Sequence, residues 1–333
     1  MNKITIIAEA GINHNGKIKN ALKMVDLAAK AGADFVKFQT FDPNALVTDN
    51  VGLADYQKIS KKKNTQLKLL NNLKLSKNDF KKIIKRCRIK KIKFLSSPFD
   101  IDSIKLLNIL KLKIYKIPSG EINNIPYLRY IGSLKKKIIL STGMSNINEV
   151  QKAIKILCKS GTLKKNISIL HCSTEYPANI KNLNLLSIKY LKDKTKLRVG
   201  YSDHSHGYEA SLISLAYGAR VFEKHFTLNK FAKGPDHKAS LSPRELKEYI
   251  KKLKLFSQSI GRYQKKPYRE EIKISMIARK KIVAFKKILK GEKFTYKNIT
   301  TKRAKKGISA NNWDNVIGKI SKYNFVKNQN IKN

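Results

Sequence analysis

Residues 199–225 read VGYSDHSHGYEASLISLAYGARVFEKH. Two short runs rich in β-branched and aromatic residues, at 199–202 and 221–225, flank a helix-like stretch at 207–218. This pattern is typical of a βαβ unit, whose two strands run parallel in one sheet. The two strands are therefore expected to end side by side.

The same alternation of short apolar runs with longer amphipathic stretches extends over most of the chain. It predicts strands at residues 4–8, 35–38, 94–96, 114–117, 138–141, 167–172, 199–202 and 221–225. Eight βα units in about 250 residues are typical of a closed (β/α)8 barrel. We therefore predict an α/β fold, a TIM barrel, over residues 1–262.

Polar side chains collect at the end of every predicted strand. In chain order they are Glu9, Lys37, Gln39, Ser97, Lys116, Ser119, Ser141, His171, Tyr176, Ser202, His204, Glu223 and His225. Active sites of TIM barrels lie at the carboxyl ends of the strands, so these residues predict the position of the active site. An insertion at residues 40–72 is expected to place a loop and a helix over this mouth, as a substrate lid or as solvated decoration.

His204 and His225 follow neighbouring strands and suggest a metal site. Imidazole is the commonest metal-ligand side chain, and the carboxylates of Asp203, Glu223 and Asp236 are close in sequence. Together these groups could hold a divalent cation with positions left for substrate or water. The alternative is that each histidine only caps its strand.

The formal charge of +48 results from 71 Lys and Arg against 23 Asp and Glu. Such a charge favours an anionic partner such as nucleic acid. However, the lysines are spread along the chain, no helix-turn-helix, zinc-ligand or aromatic RNA-binding motif is present, and compositional drift on solvated faces explains the excess. We predict neither nucleic acid nor a membrane as partner, and keep nucleic-acid binding as the alternative from a different functional class.

Cysteine usage and the first residues bear on the compartment. Cys87, Cys158 and Cys172 are widely spaced and odd in number, which indicates reduced thiols rather than a disulfide framework. The start of the chain reads as a strand, not as a signal peptide. These features predict a cytoplasmic protein.

The pattern changes after residue 261. Residues 263–276 are polar and lysine-rich, as in a linker, and residues 277–333 contain short β-like runs with glycines at the turns. We expect a small β-rich domain there.

Several motifs resemble those of the sialic acid synthase family. They are IAEAGINHNG at 7–16, FVKFQT at 35–40, YKIPSGE at 115–121, LSTGM at 140–144, LHCSTEYP at 170–177, GYSDH at 200–204, EKHF at 223–226 and GPDHKAS at 234–240. The tail resembles the antifreeze-like (SAF) domain of that family, through ARK at 278–280, KGEKFT at 290–295, TKR at 301–303, GIS at 307–309 and IGK at 317–319.

The resemblance implies condensation of phosphoenolpyruvate with an N-acetylated amino sugar, with release of phosphate. It also implies a metal, Mn²⁺ first and Mg²⁺ second, bound by His204 and His225 to polarise the sugar aldehyde. Residues matching the family's substrate-binding positions are Lys37, Gln39, Ser97, Lys116, Ser119, Ser141, Thr174 and Ser202, and those matching its proton-transfer or sugar-holding positions are Glu9, Glu223, Asp236 and Tyr176.

Arg303 matches an arginine that, in the family, reaches into the partner subunit's barrel and binds the sugar's N-acetyl group. The resemblance therefore implies a domain-swapped homodimer. The loop departs from the family pattern, because Lys302-Arg-Ala-Lys-Lys-Gly307 replaces the common Lys-Arg-Pro-Gly-Asn-Gly. The reach of Arg303 depends on that loop.

The sugar is the open question. We rank N-acetylneuraminate synthesis from N-acetylmannosamine first, and N,N'-diacetyllegionaminate synthesis from 2,4-diacetamido-2,4,6-trideoxymannose second. Pseudaminate synthesis ranks third, because the motifs resemble those enzymes less.

Overall fold

A computed structural model describes residues 3–48 and 65–332. The chain divides into two compact units, Met1–Gly261 and Arg262–Asn333. Part of the insertion expected to be either a lid or a solvated decoration, residues 49–64, lies outside the described residues.

The first unit is the predicted TIM barrel. Its strands are β1 (Thr5–Gly11), β2 (Phe35–Thr40), β3 (Lys93–Pro98), β4 (Ile114–Ile117), β5 (Lys137–Ser141), β6 (Ile167–Cys172), β7 (Arg198–Asp203) and β8 (Val221–His225). They pair in parallel in the order β3-β2-β1-β8-β7-β6-β5-β4, and β3 and β4 lie next to each other. The fold prediction is confirmed, with each predicted strand matched by an observed one.

Helices connect the strands. They are α1 (Ile18–Ala31), α2 (Pro43–Leu46), α3 (Gln66–Leu73), α4 (Lys77–Ile89), α5 (Ile101–Ile109), α6 (Ile125–Ser133), α7 (Ile147–Lys159), α8 (Leu186–Thr195), α9 (Glu209–Ala216) and α10 (Pro243–Phe256). Capping boxes begin α4 at Ser76, α7 at Asn146 and α10 at Ser242, where side chains satisfy the first backbone N–H groups.

Two apolar layers stabilise the barrel because side chains alternate across each strand. A large core packs the outward-facing strand residues against the helices. The barrel interior is filled by Ile7, Phe35, Leu95, Ile139, Leu170 and Val221. Gly200 lies among them, and a methyl group at its Cα would approach the Val221 carbonyl oxygen to 2.2 Å. Only glycine allows β7 to approach β8 this closely.

The second unit has its own small core. Strands β9 (Lys280–Ala284) and β10 (Ile299–Arg303) pair in antiparallel fashion, and helix α11 (Arg269–Ala278) precedes them within the stretch predicted as a linker. The core contains Ile282, Ala284, Ile288, Phe294, Ile299, Val316, Phe325 and Ile331. The SAF assignment and the domain boundaries stay predictions.

None of the helices in the described ranges is long and apolar enough to cross a membrane.

Candidate active site

One inward-facing residue from each strand forms the floor of the barrel mouth. Residues two positions apart share a face of a strand, so the apolar interior is followed, two positions later, by a second layer. This layer consists of Glu9, Lys37, Ser97, Lys116, Ser141, Cys172, Ser202 and Glu223. All of them except Cys172 belong to the predicted site.

Lys37 lies at the centre of a buried group of charges. Its Nζ is 2.9 Å from Oε1 of Glu9 and 3.7 Å from Oε2 of Glu223, and it donates a hydrogen bond of 3.1 Å to Oγ of Ser97. Burial alone would lower the pKa of Lys37, but the carboxylates of Glu223 and Glu9 raise it above its ordinary value. Lys37 is therefore a permanent cation.

A second ammonium group enters the mouth from β4. Nζ of Lys116 donates a 2.7 Å hydrogen bond to Oγ of Ser141 and lies 3.6 Å from Oε1 of Glu223. Ser202 Oγ donates to the same carboxylate oxygen at 3.0 Å. Two ammonium groups with adjacent hydroxyls can bind an anion that has several oxygens.

The two glutamates differ in their proton affinity. Burial raises the pKa of Glu9 to about 7, although Lys37 opposes the shift. Burial also acts on Glu223, but Lys116 and Lys37 outweigh it and lower the pKa of that carboxyl to about 2. Environments that separate two carboxyl pKa values in this way assign different protonation states to them. Near neutral pH Glu223 is ionised, whereas Glu9 can hold or release a proton.

His204 and His225 lie beside this cluster, with ring centroids 5.6 Å apart. Nδ1 of His204 contacts the carbonyl oxygen of Ser173, which can only accept a hydrogen bond, so the lone pair of that imidazole is on Nε2. The Tyr176 hydroxyl donates to this Nε2 at 3.1 Å. Burial lowers the pKa of His204 to about 4 and that of His225 well below its ordinary value. Both rings are therefore neutral at pH 7.

These side chains fit a divalent cation. Neutral imidazole is the metal-binding form of histidine. Nδ1 of His225 is buried without a hydrogen-bond partner in the described ranges, and Oδ2 of Asp236 lies 3.9 Å away. Burial raises the pKa of Asp236 to about 6. No cluster of three or more His, Cys, Asp or Glu side chains suited to a metal occurs among the described residues. Two imidazoles alone would leave coordination positions open to substrate or water.

Unpaired acceptors collect where β1 and β8 end. Within the described part of the chain, four buried polar atoms here lack a hydrogen-bond partner: the acceptors Oε2 of Glu9, Oδ1 of Asn13 and Oε2 of Glu223, and the ring nitrogen Nδ1 of His225. Buried polar atoms are rarely left unpaired in native proteins. A cation, or a ligand with several hydroxyl and amide N–H groups, would satisfy them.

Other predicted residues line the rim. Gln39 lies two residues beyond Lys37 on the same face of β2 and is half-buried. Ser119 Oγ accepts a 3.0 Å hydrogen bond from the Gly143 N–H. A methyl group at Gly143 would lie 2.7 Å from Cγ2 of Thr174. The same methyl group would lie 2.9 Å from Oγ of Ser119, so Ser119 and Thr174 both pack against Gly143.

Arg303 is the predicted residue that the barrel does not contain. It is the last residue of β10, in the second unit, and its side chain is exposed. Its role stays a prediction, as do the individual roles of the barrel residues.

The chain is similar to known proteins over its whole length. The NeuB family profile matches residues 24–265. The chain is 47% identical over 333 residues, the full length of both proteins, to the N,N'-diacetyllegionaminic acid synthase of Campylobacter jejuni serotype O:2. It is 38% identical to the protein of the same name from Legionella pneumophila, over 94% of this chain and 89% of that one. The chain belongs to the NeuB family.

A solved structure supports the membership. The N-acetylneuraminic acid (sialic acid) synthetase of Leptospira borgpetersenii superposes with a TM-score of 0.74 at 32% identity, over 82% of this chain and 91% of the other. As a member of the NeuB family, the chain is an enzyme, a phosphoenolpyruvate-dependent condensing transferase of the nonulosonic acid synthase type.

Two residues near the NeuB site face away from it. Asp203, expected beside the histidines, points to the helix layer, where its Oδ2 accepts a 2.7 Å hydrogen bond from Ser211 of α9. His171 likewise faces outward and contacts the carbonyl oxygen of Leu183 at 2.7 Å. The expectation that both belong to the mouth was wrong, because alternation along β6 and β7 turns them outward.

Sequence reasoning also missed two residues at the mouth. The strand period would have identified Cys172, two positions after Leu170, and its Sγ lies 3.3 Å from Oγ of Ser119. Asn13 lies beyond β1 and donates to the carbonyl oxygen of Phe226 at 2.8 Å and to Ser240 at 2.9 Å. No periodic signal marks Asn13, because it follows the strand.

Glu9 makes the stability of this NeuB enzyme depend on pH. Its folded-state pKa, about 7, lies above the ordinary value of 4.5. The stabilisation of the folded state by the protonated carboxyl is therefore complete below pH 4.5 and is lost as the pH rises to 7. In the wild type, this loss lowers the free energy of unfolding by about 3 kcal/mol between pH 4.5 and 7, and we expect Glu9→Gln to lack this decrease. Chemical denaturation at several pH values measures it, with exposed Glu270→Gln as control. Equal pH profiles for Glu9→Gln and wild type would refute the assignment.

Proposed function

We propose that the chain is an N,N'-diacetyllegionaminate synthase, which condenses phosphoenolpyruvate with 2,4-diacetamido-2,4,6-trideoxymannose. The observation that carries the proposal is the 47% identity, without truncation of either chain, to the C. jejuni enzyme of that name. The similarity to the L. pneumophila protein of the same name adds support. These relatives favour the reading that the sequence alone ranked second over N-acetylneuraminate synthesis, which becomes the alternative.

The proposed phosphoenolpyruvate site uses the lysine side of the mouth. The substrate carries a phosphate and a carboxylate, and the Lys37 and Lys116 ammonium groups are buried among serine hydroxyls that can also donate to those oxygens. A buried lysine is costly without an anion. In the free enzyme Glu223 supplies that negative charge, 3.7 Å from Lys37 and 3.6 Å from Lys116. The substrate would add its own oxygens to the same donors.

The amino sugar would occupy the acceptor side. Its hydroxyl and amide N–H groups are donors suited to the unpaired oxygens of Glu9, Asn13 and Glu223. Glu9, with a pKa of about 7, is the group best suited to hold or transfer a proton during carbon-carbon bond formation and phosphate departure. Asp236 and Tyr176 border the same space.

His204 and His225 would hold the divalent metal, with Mn²⁺ proposed before Mg²⁺. When bound there, the metal supplies Lewis-acid polarisation of the sugar aldehyde. Tyr176 packs against both rings, with centroids 4.1 Å from His204 and 5.7 Å from His225. The tyrosine therefore fixes the orientation of both imidazoles.

We further propose a cytoplasmic, domain-swapped homodimer in which Arg303 of the partner subunit binds the N-acetyl group of the sugar. The SAF-like motifs around Arg303 and its exposed side chain support this reading. The proposal depends on the loop at residues 302–307, where this chain departs from the common family sequence.

The sugar is tested by phosphate release from phosphoenolpyruvate with Mn²⁺. We expect 2,4-diacetamido-2,4,6-trideoxymannose to give the highest kcat/KM, ahead of N-acetylmannosamine and of the 6-deoxy-altrose isomer. A higher kcat/KM with N-acetylmannosamine would return N-acetylneuraminate synthesis to first place. No release with any of the three sugars from folded, metal-loaded enzyme would contradict both the proposal and its alternative.

A further inference from the structure

A buried ion pair lies directly behind the two histidines. Nζ of Lys224 is 3.1 Å from Oδ1 of Asp203, and both side chains are 0% exposed. Asp203 immediately precedes His204, and Lys224 immediately precedes His225. The alternation of side chains turns the pair towards the helices while the histidines face the mouth.

The pair bridges β7 and β8 at their last paired residues. Asp203 and Lys224 are direct cross-strand partners in the parallel ladder. They therefore act at the position where the register of the two strands sets the separation of the following imidazoles. A slip or twist here would change the distance between the rings.

The same pair also holds the backbone beyond His204. Oδ1 of Asp203 accepts hydrogen bonds from the backbone N–H of Ser205 at 2.9 Å and from its hydroxyl at 2.6 Å. Nζ of Lys224 donates to the carbonyl oxygen of Ser205 at 2.5 Å. His204 is thus anchored on both sides in the chain, by Asp203 before it and by Ser205 after it.

Stability alone is a weak reason for such a pair. Removing two charges from water is costly, and well-packed apolar residues often stabilise a core equally well. Burial lowers the pKa of Lys224, and the negative charge of Asp203 opposes this shift. A charged pair does, however, impose a direction and a distance that apolar packing does not. This favours a geometric role at the strand ends.

We propose that Asp203 and Lys224 are positioning residues that hold His204 and His225 at the spacing needed to bind a divalent cation. The inference rests on the proposed metal role of those histidines. It goes beyond that role because it makes the metal affinity of the histidines depend on an ion pair that faces away from the mouth.

The test is Mn²⁺ affinity, measured by electron paramagnetic resonance on the full-length protein without substrates. Lys224→Met and Asp203→Asn keep the side-chain size and remove one charge each. We expect each to weaken Mn²⁺ binding about 10- to 100-fold, as is typical for groups that orient metal ligands, while circular dichroism shows a folded barrel. Lys224→Arg should recover part of the affinity.

Tyr249→Phe is the matched control. The Tyr249 hydroxyl lies 3.2 Å from that of Ser211, which in turn donates to Asp203, so Tyr249 is one hydrogen bond removed from the ion pair. It should reduce the melting temperature and leave Mn²⁺ affinity within about twofold of wild type, since it keeps the ion pair. If Lys224→Met or Asp203→Asn does not fold, the double variant Asp203→Asn/Lys224→Met takes its place, because it leaves no buried charge without a partner.

The outcomes separate the two claims. Wild-type affinity for Mn²⁺ in folded Lys224→Met and Asp203→Asn would overturn the positioning role, because the pair would then be purely structural. If wild type binds no Mn²⁺, or if His204→Ala binds Mn²⁺ as wild type does, the proposed metal role of the histidines fails. The positioning role then fails with it.

Discussion

Lys37→Met should lower kcat/KM for phosphoenolpyruvate by about 1000-fold, the upper range for losing one preorganised donor to a charged group. The ammonium group of Lys37 contacts both glutamates and Ser97, so methionine removes the cation and leaves two buried carboxyl groups facing each other. Steady-state phosphate release measures the loss. Glu9 should also become harder to ionise, because Lys37 opposes its upward pKa shift.

Lys137→Met is the control for this substitution. Lys137 is the first residue of β5, at the opposite end of the barrel, and its side chain is exposed. The control should keep wild-type kcat/KM. Near-wild-type kcat/KM in folded Lys37→Met would contradict the assignment of the phosphoenolpyruvate site to this side of the mouth.

His225→Ala should abolish Mn²⁺-dependent turnover and weaken Mn²⁺ binding by at least about 100-fold, more than the effect expected for groups that only orient ligands. The ring is neutral because burial lowers its pKa, and its Nδ1 has no hydrogen-bond partner in the described residues. Alanine therefore removes the nitrogen proposed to bind the metal. Calorimetric titration with Mn²⁺ and phosphate release measure the two effects.

His206→Ala is the matched control for the histidine. His206 lies two residues after His204, and its side chain is exposed, so the variant should bind Mn²⁺ as wild type does. If His225→Ala and His206→Ala bind Mn²⁺ equally well, the metal is bound elsewhere or not at all.

The repeat pattern was sufficient to predict the barrel and most of its mouth. Each strand carries an apolar residue followed two positions later by a floor residue, as Phe35 is followed by Lys37. Polarity at the strand ends identifies that layer because the barrel interior is otherwise apolar. The same rule, applied strictly, would have included Cys172 and excluded His171 and Asp203.

Other features could not be read from the sequence for physical reasons. Asn13 is defined by contacts with residues more than 200 positions away, Phe226 and Ser240, and local patterns carry no such information. The pKa separation of Glu9 and Glu223 depends on which carboxyl lies nearer both lysines, and that requires coordinates. The choice of sugar depends on a few pocket contacts, which is why relatives were needed to rank the candidates.

We propose that this barrel condenses phosphoenolpyruvate with an amino sugar and that phosphate leaves by cleavage of the carbon-oxygen bond of its ester. The most direct measurement is the phosphate-release reaction run with phosphoenolpyruvate labelled with ¹⁸O in the bridging position, followed by mass spectrometry of the phosphate. This reaction predicts release only in the presence of sugar, with the label retained in the phosphate. Unlabelled phosphate, or release without sugar, would contradict it.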